Sequence, residues 1–371
     1  MRMRRFVTSV AVGTSLLLSA CQGGANQKAA QPAQTEAKEK LTVYTSVYPV
    51  YDFTKMIAGD AADVKMLIPE GTEPHHWEPG TQEMNALATA DVFVYNGAGL
   101  EEWVDKTVET AQKENADLLV VEASKDVELI EGHHHHHDED EDHDHDHDAV
   151  DEHHEDADHD HDHDAVEEHH DDADDHDHDH DATEEHHDDG DEHEHHHGAH
   201  DPHTWLSPKN AKIMLATIEE GLAKADPDNK DLYEKNLAEA QKKMDDLAQE
   251  FADAVKDRVR DRIIVSHEAF GYLCRDYGLN QVGIEGVHSE HEPDPKTMAE
   301  IVDLVKREGV TTIFSETLID PKVAETIAKE SGAQVKVLNP VEGLTKDDVA
   351  KGADYMSIMK ENAQALKEAL H

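Results

Sequence analysis

Basic residues are scarce in this chain. Its 371 residues carry 33 Lys+Arg against 85 Asp+Glu, a formal net charge of −52, and that shortage excludes a nucleic-acid partner, which requires basic surface. Cysteine is scarcer still: Cys21 and Cys274 are the two in the sequence, too few for a disulfide framework at this length. Beyond the first twenty residues no stretch is apolar enough to span a bilayer. No Gly-rich phosphate loop and no Ser/His/Asp arrangement stands out. Histidine, by contrast, is abundant: of 32 residues, 25 lie between His133 and His200, a segment without Lys or Arg.

That segment is repetitive. Asp142–Ala157 (DHDHDHDAVDEHHEDA), Asp158–Ala173 (DHDHDHDAVEEHHDDA) and Asp175–Gly190 (DHDHDHDATEEHHDDG) repeat with a period of 16 residues, Asp174 being inserted before the third copy. No copy has an apolar face to stack, which points to tandem duplication and not to a solenoid, and the composition predicts disorder without ligand. Residues 133–197 hold 32 carboxylates; setting them aside leaves a charge of −20, ordinary for a soluble protein. Alternating Asp-His and His-His pairs offer many exchangeable, low-affinity metal positions, represented by His133, His134, His135, His136, His137, His143, His145, His147, His195, His196 and His197. Imidazole binds metal only when neutral, so capture there should weaken as pH falls toward roughly 6.5. The plainer alternative is a solvated acidic spacer.

The amino terminus is an export signal. Met1-Arg2-Met3-Arg4-Arg5 is a basic start, and Phe6–Ala20 is apolar and uncharged but too short to span a bilayer comfortably. Leu18-Ser19-Ala20-Cys21 resembles a bacterial lipobox, in which the Cys is acylated, so residues 1–20 are expected to be removed and Cys21 to tether the protein outside the cytoplasmic membrane. Residues 21–40 read as a flexible tether.

From Leu41 short β-type runs alternate with amphipathic segments, the pattern of an α/β protein with parallel sheets covered by helices. Strands are predicted at 41–47, 63–68, 91–96 and 117–122, then at 262–267, 281–284, 311–315 and 334–338. Two groups of four predict two lobes: 41–131 with 201–228, and 258–371, interrupted by the loop 132–200. Between them, Leu232, Tyr233, Asn236, Leu237, Ala240, Met244, Leu247 and Phe251 recur at three- and four-residue steps without Gly or Pro, predicting one long, stiff interlobe helix over 229–257.

Four motifs outside the repeats carry metal-type ligands: GTEPHHWEP from Gly71, DPHTWLSP from Asp201, SHEAFGY from Ser266 and NPVEGLT from Asn339. Each follows a strand or lies in a turn, where open α/β sheets bind ligands. Taken with the leader and the predicted helix, these motifs resemble the zinc-binding solute-binding lipoproteins of bacterial ABC importers, the ZnuA/AdcA-like group. The likeness covers 41–131 and 201–371, and a His-rich insertion is typical of the group.

The resemblance implies a primary Zn²⁺ site in the interlobe cleft formed by His75, His203, His267 and Glu342. It also implies an ABC permease with its ATPase as partner, a monomeric receptor and no catalysis. Three imidazoles and one carboxylate suit tetrahedral zinc independently of any likeness; manganese importers of the same class place a carboxylate where His267 stands. Alternatives exist at each position: His76 for His75, the end of the repeats for His203, a turn or cap for His267, and water or another acid for Glu342. His288 and His291 read as decoration of a loop near the cleft, Cys274 as a buried structural thiol, and Trp77, Trp103 and Trp205 as core or cleft-wall rings. Two other functions are kept open: a zinc buffer or adhesin acting without a permease, and a zinc hydrolase should Glu342 not ligate.

Overall fold

The computed structural model describes residues 40–131, 200–287 and 293–371. The chain runs β1 (Leu41–Thr45), α1 (Tyr48–Ala58), β2 (Ala62–Met66), α2 (Thr81–Leu87), β3 (Val92–Tyr95), α3 (Val104–Glu114) and β4 (Leu119–Glu122), and resumes with α4 (Pro208–Ala225) and α5 (Lys230–Val255). It continues through β5 (Arg262–His267), α6 (Gly271–Tyr277), β6 (Asn280–Glu285), α7 (Pro295–Glu308), β7 (Thr312–Ser315), α8 (Lys322–Ser331), β8 (Gln334–Val337), α9 (Lys346–Lys351) and α10 (Tyr355–Leu370). Two parallel four-stranded sheets result, ordered β2-β1-β3-β4 and β6-β5-β7-β8. The α/β reading of the sequence is met in both.

Local chemistry sets several boundaries. Ser207 caps α4 by accepting from the Asn210 amide, with Pro208 at the first turn. Asp294 caps α7 at the Lys296 and Thr297 amides, and Gly309 ends it in the left-handed conformation. Thr345 and Asp348 form a reciprocal capping box on α9. The strands begin or end within three residues of the sequence expectation because parallel strands, buried on both faces, read as continuous apolar runs such as Val92–Val94 and Ile263–Val265.

Both sheets have the same order, so in each the connections diverge on opposite sides of the central pair. The crevices at the carboxyl ends, between β1 and β3 and between β5 and β7, are switch points of the kind that host ligands. Helix α5 packs against α1 and α4 on one side and against α10 and α6 on the other. One continuous apolar core runs from Val43 and Phe53 through Met214, Met244 and Phe251 to Phe270 and Tyr355. Hinging the lobes apart would expose that surface to water, which opposes wide opening. Among the described residues no helix is long and apolar enough to cross a membrane.

Candidate metal centre

Four chain-distant segments deliver one side chain each to a single point. His75 sits in the turn after β2, where Glu73 accepts from the His75 amide at 2.8 Å. Its neighbour His76 is exposed, whereas the His75 side chain is 3% exposed. His203 opens a short 3-10 turn, Thr204–Leu206. His267 is the last residue of β5, and Glu342 lies five residues beyond the end of β8.

Tertiary bonds aim the Glu342 loop. Asn362 of α10 accepts from the Asn339 amide at 2.8 Å and donates to its carbonyl at 2.7 Å. The Trp205 indole donates to Pro340 O at 2.7 Å. Val341 has φ 61°, a left-handed conformation that costs a side-chain-bearing residue roughly 1–2 kcal/mol and that these bonds hold in place.

The donor atoms converge closely. His203 Nε2 lies 3.2 Å from both His75 Nε2 and His267 Nε2, and Glu342 Oε1 lies 3.0, 3.3 and 3.4 Å from the Nε2 atoms of His203, His75 and His267. All four ligand atoms fall within 4.8 Å of one another. A tetrahedron with zinc–nitrogen bonds of about 2.0–2.1 Å has edges of about 3.3–3.4 Å, so five of the six edges, at 3.0 to 3.4 Å, fit that ion. The nitrogen majority disfavours calcium and magnesium, which take oxygen shells.

Two carboxylates orient the rings from behind. Asp201 Oδ1 accepts from His203 Nδ1 at 2.8 Å and from the His203 amide at 2.9 Å, and Glu316, just past β7, bonds His267 Nδ1. Carboxylates on the outer ring nitrogens leave the Nε2 atoms for the metal and raise their basicity. Burial disfavours a charged imidazole, yet Asp201 and Glu342 hold His203 above its ordinary range. Glu316 and Glu342 likewise hold His267 well above it. Burial raises the Glu342 carboxyl, but His267, His203 and His75 outweigh that and keep it well below the usual carboxylate range.

Asp201 and Glu316 were not singled out in the sequence. Asp201 stands two residues before His203 in a DPH turn, and Glu316 directly follows a strand at its carboxyl end, so position was the available signal. The remaining candidates separate from the centre. Cys274 is a buried free thiol that burial pushes up to about 12. Trp205 is buried and packs edge-on against His203 with ring centroids 5.4 Å apart, while Trp77 and Trp103 form an edge-on pair at 5.2 Å. Cys21, His288, His291 and the eleven low-affinity candidates from His133 to His197 lie outside the described residues. At the base of the repeats, Glu131 and His200 form an antiparallel bridge.

Two open α/β lobes enclosing a buried donor set define a metal-binding receptor of the substrate-binding-protein class. The chain belongs to the ZnuA family, zinc-uptake complex component A, periplasmic, whose model matches residues 43–369. It is 36% identical over 355 residues to the high-affinity zinc uptake system protein ZnuA of Bacillus subtilis, covering 96% of this chain and 94% of that one. It is 33% identical over 366 residues to the zinc-binding lipoprotein AdcA of Streptococcus pneumoniae, covering 99% of this chain but 61% of that longer protein. The Zn(II)-bound ZnuA-like domain of pneumococcal AdcA superposes with a TM-score of 0.65 at 31% identity, over 90% of this chain and 99% of that one. The laminin-binding protein Lmb of Streptococcus agalactiae, described as having adhesin and metal-transporting activity, superposes with a TM-score of 0.67 at 28% identity, over 90% and 100%.

Proposed function

We infer that this protein is an extracytoplasmic receptor that captures Zn²⁺ between its lobes and hands it to the permease of an ABC uptake system. The observation that carries the reading is the set of five donor–donor distances between 3.0 and 3.4 Å. Family membership and zinc-binding relatives support the cargo. His75, His203, His267 and Glu342 are the ligands in this reading. They complete a tetrahedral shell and leave no open position for the water that hydrolytic zinc sites keep, which argues against catalysis.

Cys21 would anchor the protein to the outer face of the cytoplasmic membrane, and the receptor would act as a monomer. Segments 1–20 and 21–40 would serve as signal and tether, and 132–200 as a collecting loop between the two parts of the first lobe, 41–131 and 201–228. Helix 229–257 would join that lobe to 258–371. Cys21→Ser should release the protein from membranes into the soluble fraction; continued membrane attachment would sink the anchor.

The central test is calorimetric zinc titration of residues 26–371 beside the same protein lacking 133–200, with manganese competition. One tight zinc equivalent should survive the deletion while the weak ones disappear. Loss of the tight equivalent would move the chemistry into the repeats and make a zinc buffer the better description. The adhesin activity of the streptococcal laminin-binding protein favours one second reading, adhesion. Unchanged growth in zinc-limited medium after deletion of the protein would favour it over uptake.

A further inference from the structure

The second lobe fills its switch-point crevice with metal-site residues: His267 ends β5 and Glu316 follows β7. In the first lobe the corresponding crevice, between the carboxyl ends of β1 and β3, holds no ligand of the centre. It holds a buried carboxylate instead. Glu101, 4% exposed, accepts from Ser46 Oγ at the end of β1 at 2.6 Å, and from the Asn96 and Gly97 amides at the end of β3 at 2.9 and 3.0 Å. The turn between is tight: Gly97, Ala98 and Gly99 have φ 84°, 54° and 85°. A Cβ on Gly97 would run into the Glu122 side chain, so this position of the turn requires glycine.

The residue whose backbone amide this carboxylate fixes, Asn96, also touches the DPH turn through its side chain. Asn96 Nδ2 donates to Pro202 O at 3.0 Å and to Gly97 O at 2.9 Å, and Asn96 Oδ1 accepts from Thr204 Oγ1 at 3.2 Å. Pro202 and Thr204 are the two chain neighbours of His203. One buried side-chain amide therefore holds both chain neighbours of His203, Pro202 by its carbonyl and Thr204 by its hydroxyl, while the His203 ring is held separately by Asp201. We propose that Asn96, anchored by Glu101, is a positioning residue that sets the height of His203 in the cleft and thereby the zinc affinity and the symmetry of the coordination shell. The inference rests on His203 being a zinc ligand.

Asn96→Ala would take from the Pro202 carbonyl one of its two donors, leaving the Thr204 amide at 2.8 Å, and from Thr204 Oγ1 its amide acceptor, leaving the weaker Met214 sulfur at 3.5 Å. Indirect support of a ligand acts through geometry, where displacements well under 1 Å matter, and loss of such support commonly weakens metal binding tenfold or more. In the full chain, chelator competition should show zinc affinity reduced about tenfold in Asn96→Ala, and the visible bands of the Co²⁺-loaded protein should shift, reporting an altered shell. Glu101→Gln, which removes one acceptor from the three donors, should move both readouts in the same direction.

Asn115→Ala is the control for a merely structural role. Its amide donates to Ala90 O at 2.8 Å, at the amino end of β3 and so at the opposite edge of the same sheet from the centre. Lowered melting temperature with unchanged zinc affinity and Co²⁺ spectrum is expected for it. Wild-type zinc affinity and spectrum in Asn96→Ala, or an equal loss in Asn115→Ala, would overturn the proposal. Should Asn96→Ala fail to fold, Thr204→Val decides: a loss of about threefold is expected for one hydrogen bond, and an unchanged affinity refutes it. Absence of tight zinc from the wild-type chain would instead sink the receptor reading beneath the proposal.

Discussion

Zinc loading should expel protons, and the hydrogen-bond partners dictate the sign. Asp201 accepts from His203 Nδ1 at 2.8 Å, so that nitrogen carries a hydrogen, while Glu342, another acceptor, lies 3.0 Å from Nε2. His267 is flanked the same way by Glu316 and Glu342. A neutral ring cannot donate from both nitrogens; an imidazolium can. Both imidazoles are accordingly held above their ordinary range, and the Glu342 carboxyl is held below its own. Without metal, protons on these rings thus offset part of the surrounding carboxylate charge, and zinc must displace at least one to reach the Nε2 lone pairs. Each displaced proton makes affinity rise about tenfold per pH unit, or 1.36 kcal/mol, so one proton gives roughly a hundredfold gain over two units. The metal-free protein behaves oppositely. A raised imidazole contributes stability that is fully present below its unfolded value and is lost as pH rises through its folded value. Calorimetry at pH 7 in buffers of differing ionisation enthalpy reads the released protons directly as a slope. A slope near zero, with zinc affinity flat on both sides of neutrality, would refute the reasoning.

Three further outcomes are expected. Glu316→Gln keeps the shape behind His267 but removes the charge that orients it, and zinc affinity measured by chelator competition should fall about 10–100-fold; an unchanged value would show that the carboxylate is incidental. His267→Asp exchanges nitrogen for oxygen and should lower the zinc-to-manganese affinity ratio, whereas an unchanged ratio in parallel titrations would count against its placement in the shell. Cys274, with its thiol pushed up to about 12 by burial, should resist alkylating reagents in the native protein at pH 8 and react after denaturation; rapid native labelling would contradict its burial.

The parts of this protein legible in the sequence are those governed by neighbours in the chain. The eight strands announce themselves as apolar runs, and α5 by its three- and four-residue spacing, because burial repeats along each element with the element's own period. The helix start at Thr345 is equally local, a side chain bonding an amide three residues away. The four residues that could hold a metal, His75, His203, His267 and Glu342, were legible through their motifs, which a resemblance could carry across the chain. Their supports were not. Nothing near Glu316 in the sequence says that it meets His267, 49 residues away, and nothing near Glu101 says that it holds the backbone of Asn96, whose side chain bonds Pro202 and Thr204. Which of His75 and His76 faces the cluster also waited for the fold, since it depends on which ring the turn after β2 points inward. Composition and periodicity settle which segments form and which face each buries. Only the packing of two sheets against one long helix decides which side chains from distant segments share a point, because a distance of 3 Å between residues more than a hundred positions apart is a property of the assembled core and of no local stretch of chain.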